Sequence, residues 1–264
     1  MAVRVISRLF FGGTLLFLCG ELWAAAGLEQ KIDGNCRFVE SPYGSFSLFH
    51  KDSKLETVDM AAAPVREGLF WYQFPVKLSG KLSAMPLVLE LNGIQGQLLN
   101  AEWDGERLYP PVNATSPTQY LICRKQDLSP GEHSLAVRIK NGAPGQGPFL
   151  LRPAGINEYW EVALNPNKKT GDYTANEFPR FFFTFRDRRD YVNPNTLEYS
   201  MVVTDKKGKM LLQMKQSLTC FQRNACLDYD FKKLPEGEYV MNLSLKNDDG
   251  EAMEIKRPLK ILKK

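Results

Sequence analysis

Between Leu69 and Asn141 apolar residues come in short runs with breaks between them. The runs are Leu69-Phe-Trp-Tyr-Gln-Phe-Pro-Val76, Leu87-Val-Leu-Glu-Leu91, Ala101 to Leu108, Tyr120-Leu-Ile-Cys123 and Leu128 to Ile139. Each is rich in β-formers and bounded by Gly, Pro, Asn or Asp, which predicts the strands of an antiparallel sandwich. Leu135, Val137 and Ile139 fall on one face and Ser134, Ala136 and Arg138 on the other. Burying the first face is worth roughly 1.5–3 kcal/mol per side chain. Asp104-Gly105 predicts a tight hairpin turn with positive φ, and Pro130-Gly131 a turn that launches the next strand. Trp71 and Tyr72 are expected in the core. Ser45-Phe-Ser-Leu-Phe49 alternates as a one-sided strand does. Val58 to Val65 fits a short strand or a loose turn.

Further along, Asn141 to Pro153 is rich in Gly and Pro and predicts a loop, because Phe149-Leu-Leu151 and Tyr159-Trp-Glu-Val162 read as more strands of the same unit. The polar run Asn165 to Ala175 is the expected joint. Beyond it Phe181, Phe183 and Phe185 share a face, as do Leu197, Tyr199, Met201 and Val203. Asp205-Lys-Lys-Gly208 predicts a hairpin turn, with strands following to Leu262. No stretch has a convincing amphipathic helical period. The expected architecture is all-β, with two β-sandwich domains at residues 27–164 and 176–264.

The middle block has a further pattern. Phe-Trp-Tyr-Gln-Phe, Leu87 to Leu91, the Trp-Asp-Gly-Glu hairpin and Asp127-Leu-Ser-Pro-Gly-Glu-His-Ser-Leu-Ala-Val-Arg-Ile-Lys-Asn141 follow in order. In this it resembles the galactose-binding-domain-like jelly roll. That module occurs at the N-terminus of family 2 glycoside hydrolases, beside sialate O-acetylesterases and in periplasmic sensor regions of bacterial receptors. Departures are Gln73 where a basic residue is usual, Asp104-Gly105 for Asn-Gly, and His133 where Asn is usual. The resemblance spans Leu69 to about Tyr159 and implies a jelly roll; its motifs are structural and speak only weakly for function. Leu234-Pro-Glu-Gly-Glu-Tyr-Val-Met-Asn-Leu-Ser-Leu245, followed by Asp248-Asp-Gly-Glu251, resembles immunoglobulin-like or fibronectin-III-like sandwiches, which implies a spacer or interaction module.

Composition sharpens this little: 44% hydrophobic and 24% charged residues are ordinary for a folded chain. A net charge of +4 is too small to suggest nucleic acid as partner. The N-terminus says more. Met1 to Arg8 is basic, Leu9 to Leu18 is apolar, and Ala24-Ala-Ala26 suits a cleavage site, so residues 1–26 read as a secretory signal peptide, the alternative being an anchor retained uncleaved. The protein is expected to be periplasmic or secreted, with no membrane span after cleavage. Excluding Cys19, four cysteines remain, which allows three connectivities. Cys220 and Cys226 bracket a short hairpin tip, so they are expected to pair, leaving Cys36 with Cys123.

Neither histidine suggests catalysis. His133 occupies a turn-to-strand position and His50 a strand end, and no G-x-S-x-G occurs. No metal-ligand spacing, Walker loop or G-x-G-x-x-G is present, so no cofactor is expected. Glu102, Asp104 and Glu106 are close in sequence, but on a solvated hairpin tip nothing would raise a carboxyl pKa for acid catalysis. The loop aromatics are the stronger candidate. Trp103 and Tyr109, with Asp104, Glu106 and Arg107, have the composition of a sugar-binding site, an aromatic face for C–H groups with carboxylate and guanidinium for hydroxyls; the other reading of Trp103 is core at the base of the hairpin. The expectation is a non-catalytic module that binds carbohydrate or an envelope protein partner. The alternative is a structural or assembly factor acting through its sandwich edges; a carbohydrate-active hydrolase is the lesser reading.

Overall fold

The computed structural model describes residues 28–47, 55–83, 85–168, 170–174, 177, 179–190, 196–219, 224–230 and 234–262. The expected leader at 1–26, His50 and Cys220 lie outside them, and so does the Cys220–Cys226 pairing. Among the described residues no helix is long and apolar enough to cross a membrane. The fold is an all-β sandwich architecture.

The first sandwich holds β1 (Gln30–Ile32), β2 (Asn35–Glu40), β3 (Glu56–Asp59), β4 (Arg66–Leu78), β5 (Leu87–Glu90), β6 (Gln95–Trp103), β7 (Glu106–Arg107), β8 (Gln119–Ile122), β9 (Gly131–Ala143) and β10 (Phe149–Pro153). They form a six-stranded sheet, β3-β2-β4-β9-β6-β7, and a four-stranded sheet, β1-β10-β5-β8. Every pair is antiparallel. The alternation of β9 seats Leu135, Val137 and Ile139 in the core, and Phe74 of β4 meets Phe149 of β10 edge-on at 5.1 Å across the sheets. The Gly- and Pro-rich loop after β9 returns tightly past Gly93: a Cβ on Gly145 would lie 1.6 Å from the Gly93 carbonyl oxygen. Only glycine allows that approach.

Trp71 is buried as expected, but on the outer face of the six-stranded sheet. Residues 41–47 cross that face as a strap. Phe46 packs on Trp71, the Trp71 indole N–H donates to the Tyr43 carbonyl at 3.0 Å, and Asn100 Nδ2 donates to the Gly44 carbonyl at 3.1 Å. Ser45 to Ser47 is therefore not the expected strand. Its backbone is satisfied instead by Glu102, whose carboxylate accepts from Phe46 N at 3.2 Å and Ser47 N at 3.3 Å. Glu102 is 3% exposed, not displayed on a solvated tip. Val58 to Val65 resolves into the end of β3 and a 3-10 turn at Met60–Ala62, capped by Asp59.

The second sandwich holds β11 (Trp160–Pro166), β12 (Asp172–Thr174), β13 (Arg180–Asp187), β14 (Thr196–Asp205), β15 (Met210–Thr219), β16 (Asn224–Asp230), β17 (Gly237–Asn247) and β18 (Ala252–Leu262). Its sheets are β11-β13-β16 and β12-β18-β17-β14-β15. The expected faces are buried here, and Phe183 of β13 meets Tyr199 of β14 at 5.1 Å. The run from Trp160 pairs with β13 rather than with a strand of the first sandwich. The chain thus passes between sandwiches ahead of the expected joint, through Ala154, Gly155 and the one-turn helix α1 (Ile156–Tyr159). Glu158 holds that passage. It accepts from Gly155 N at 2.7 Å and from both terminal nitrogens of Arg152, which also bonds Glu90.

The expected Cys36–Cys123 disulfide is not formed; both thiols are free. Cys36 lies in the core of the first sandwich, whereas Cys123 packs against that of the second. β8 explains this separation. Tyr120 and Ile122 point into the first core, while Leu121 points outward into the second.

Candidate binding cleft between the two sandwiches

The hairpin that carries the candidate residues has a two-residue turn. Asp104 has φ 49° and Gly105 φ 86°, both left-handed as a type I′ turn requires. Trp103 therefore remains in β6, opposite Leu135 of β9 and facing inward. It is 0% exposed, so it cannot stack on a ligand as the sequence suggested. Its ring lies 5.2 Å from that of His133, interplanar angle 29°.

Asp104 is also used locally. One carboxylate oxygen accepts from Ser134 N at 2.8 Å, and the other lies 2.6 Å from His133 Nδ1. His133 Nε2 faces the Ser129 carbonyl oxygen at 2.7 Å. Both ring nitrogens thus meet acceptors, an arrangement that suits the imidazolium. Burial lowers the His133 pKa, but the bonds to Asp104 and Ser129 outweigh it and the net shift is upward.

Glu106, Arg107 and Tyr109 are brought together with residues that were not among the expected ligand contacts. They line a cleft of about 510 Å³ with Leu108, Leu121, Cys123, Arg124, Asp127, Arg186, Asp187, Arg188 and Asp190. That volume suits a small ligand, and a junction between folded units is a common place for such a site. Tyr109 is 57% exposed, although its backbone is fixed by a bridge to Leu121, whose N–H donates to the Tyr109 carbonyl at 2.8 Å. The Arg107 guanidinium lies 5.9 Å from the Tyr109 ring centre.

The far wall is the end of β13 with Arg188 and Asp190 just beyond it, and the following bonds among the described residues tie it to the first sandwich. Cys123 Sγ donates to the Arg188 carbonyl at 3.2 Å, Lys125 N to Asp190 at 2.7 Å, and Arg188 Nη1 to the Pro110 carbonyl at 2.7 Å. The two walls are held in place without a ligand. Arg124 grips Asp127 at 2.7 and 2.9 Å and reaches Glu106 at 3.3 Å. Burial holds the Asp127 carboxyl above the usual carboxylate range although Arg124 works against it. Burial likewise pushes the Cys123 thiol up to about 11, with Arg188 opposing and Asp190 adding. A thiol so protonated is a poor nucleophile. Behind this wall Asp187 accepts from the Trp160 indole N–H at 3.0 Å and from Arg189, which also binds Glu251 at 2.9 Å.

The available sequence signal for the far wall was the charge cluster Arg186-Asp-Arg-Arg-Asp190 closing a phenylalanine-rich strand.

No family model and no curated protein matches the chain. Among solved structures it is similar to a β-D-mannosidase from Dictyoglomus thermophilum, at 12% identity and TM-score 0.44, covering 88% of this chain and 36% of that one. It is also similar to a β-glucuronidase from Bacteroides uniformis (12% identity, TM-score 0.43, 88% and 32% covered). A third is a putative β-galactosidase from Bacteroides fragilis (12% identity, TM-score 0.40, 88% and 41% covered). The chain spans less than half the length of each of these proteins.

Proposed function

We propose that this chain is a non-catalytic carbohydrate-binding module acting in the periplasm or outside the cell, and that the cleft between its sandwiches is the binding site. One observation carries the reading: a preformed cleft presents the exposed Tyr109 ring beside Glu106 and Arg107. The ring offers a flat apolar surface to the C–H face of a sugar. The carboxylate accepts from hydroxyls and the guanidinium donates to them. A site whose walls are already fixed avoids the ordering cost of assembling them on binding. The sequence resemblance to the galactose-binding-like jelly roll and the signal-like N-terminus support the same reading.

The test is calorimetric titration with oligosaccharides selected on a glycan array, for the wild type and Tyr109→Ala. The variant should lose most of its affinity and keep its melting temperature, because the side chain is largely in solvent. Unchanged affinity would remove the cleft from the account.

A specific observation favours a second reading, assembly through a sheet edge. β15 is an edge strand of the five-stranded sheet and exposes Met210 (55%) and Leu211 (37%). Edge strands of this kind accept an added strand.

A further inference from the structure

We infer, resting on the cleft as the saccharide site proposed above, that the saccharide it takes carries a carboxylate: the ligand is a uronate rather than a neutral sugar. The acids in the cleft are already used, while three of its arginines are not. Asp127 is held by two nitrogens of Arg124, and the third lies 3.3 Å from Glu106. Asp187 is held by Arg189 from behind. These acids are matched before any ligand arrives. Arg107, Arg186 and Arg188 are not matched in the same way. Arg107 rests near the Tyr109 ring, Arg186 comes no nearer than 4.0 Å to a carboxylate among the described residues, that of Glu161, and Arg188 donates to a backbone carbonyl.

Arg107 belongs to the first sandwich and Arg186 to the second, yet both line the same cleft. A guanidinium presents two parallel N–H groups that fit a planar carboxylate. An anion seated there would compensate cations from both walls, while the pyranose ring of the same residue lies on Tyr109. Glu106 and Asp190, also in the lining, weigh against a dianion such as a phosphate monoester and favour a single negative charge.

The experiment titrates the full chain with trimers of galacturonate, glucuronate and mannuronate, each beside its methyl ester, which keeps the shape and removes the charge. At least one uronate trimer should bind about tenfold or more tighter than its ester, the size expected for one charge-assisted contact. Arg107→Gln and Arg186→Gln should each erase most of that preference for acid over ester, with the melting temperature unchanged. Equal affinity for acid and ester would overturn the inference and leave carbohydrate binding standing. A sulfated trimer binding more tightly than every uronate would overturn the carboxylate assignment. Absence of binding by every saccharide tested would overturn the inference together with the reading on which it rests.

Discussion

Replacing Trp103 separates a core role from a surface role. The indole is 0% exposed, packed in the first core and stacked on His133. Burial of a tryptophan removes about 200 Å² from water, worth about 5 kcal/mol at ~25 cal/mol per Å². That figure is an upper value because the unfolded chain already hides some of this area. Trp103→Ala should therefore cost about 3–5 kcal/mol. Trp103→Phe should be far milder. The Trp103 indole N–H is buried with no hydrogen-bond partner among the described residues, and an unmet buried donor costs about 1–3 kcal/mol. Phenylalanine removes that donor while keeping a ring against His133, so the net cost should be about 2 kcal/mol or less. Urea unfolding followed by circular dichroism gives both values. Wild-type stability in Trp103→Ala would refute the core assignment. Equal losses in the two variants would show that the indole N–H has a partner and refute the argument for phenylalanine. Neither change should alter ligand affinity while the protein is folded, since Trp103 is not among the residues lining the cleft.

Three other outcomes are expected. The folded pKa of His133 is raised above its ordinary 6.5, so its contribution to stability is complete below that pH and is lost as pH rises through the folded value; the stability gap between wild type and His133→Asn should shrink over that rise, and a pH-independent gap would contradict it. Arg189→Met leaves the Asp187 and Glu251 carboxylates at the end of the second sandwich without their cation and should cost about 3–5 kcal/mol in urea unfolding, whereas a loss below about 1 kcal/mol would place that network in solvent. Peptide mapping without reductant should recover Cys36 and Cys123 unlinked, and alkylation at neutral pH should modify Cys36 only after unfolding, because it is 0% exposed and burial pushes its thiol up to about 11; a recovered Cys36–Cys123 peptide would overturn the assignment.

The strand faces were legible because a period of two residues is a local property. Phe181, Phe183 and Phe185 needed no knowledge of their partners, and Asp104-Gly105 announced its turn by composition alone. For Trp103 the sequence left two readings open, ligand contact or core at the hairpin base; its pairing with Leu135 shows that β6 runs to the end of the hairpin and decides for the core. Glu102 was placed in solvent because its partners, Phe46 and Ser47, lie more than fifty positions earlier. The run at Trp160 carries a strand pattern that does not say which sandwich takes it. The cleft was half visible: Glu106, Arg107 and Tyr109 were found together, while Arg186 and Arg188 reach it only through contacts such as Arg188 with Pro110, 78 positions apart. No period or motif encodes a wall built from two separate units.

Hydrogen–deuterium exchange with and without a saturating saccharide tests the cleft most directly. Slowed exchange is expected in the peptides covering Glu106 to Tyr109, Leu121 to Asp127 and Arg186 to Asp190, with the remainder of both sandwiches unchanged. Protection confined to β15 or to the strap at residues 41–47, with those three segments exchanging as before, would contradict it.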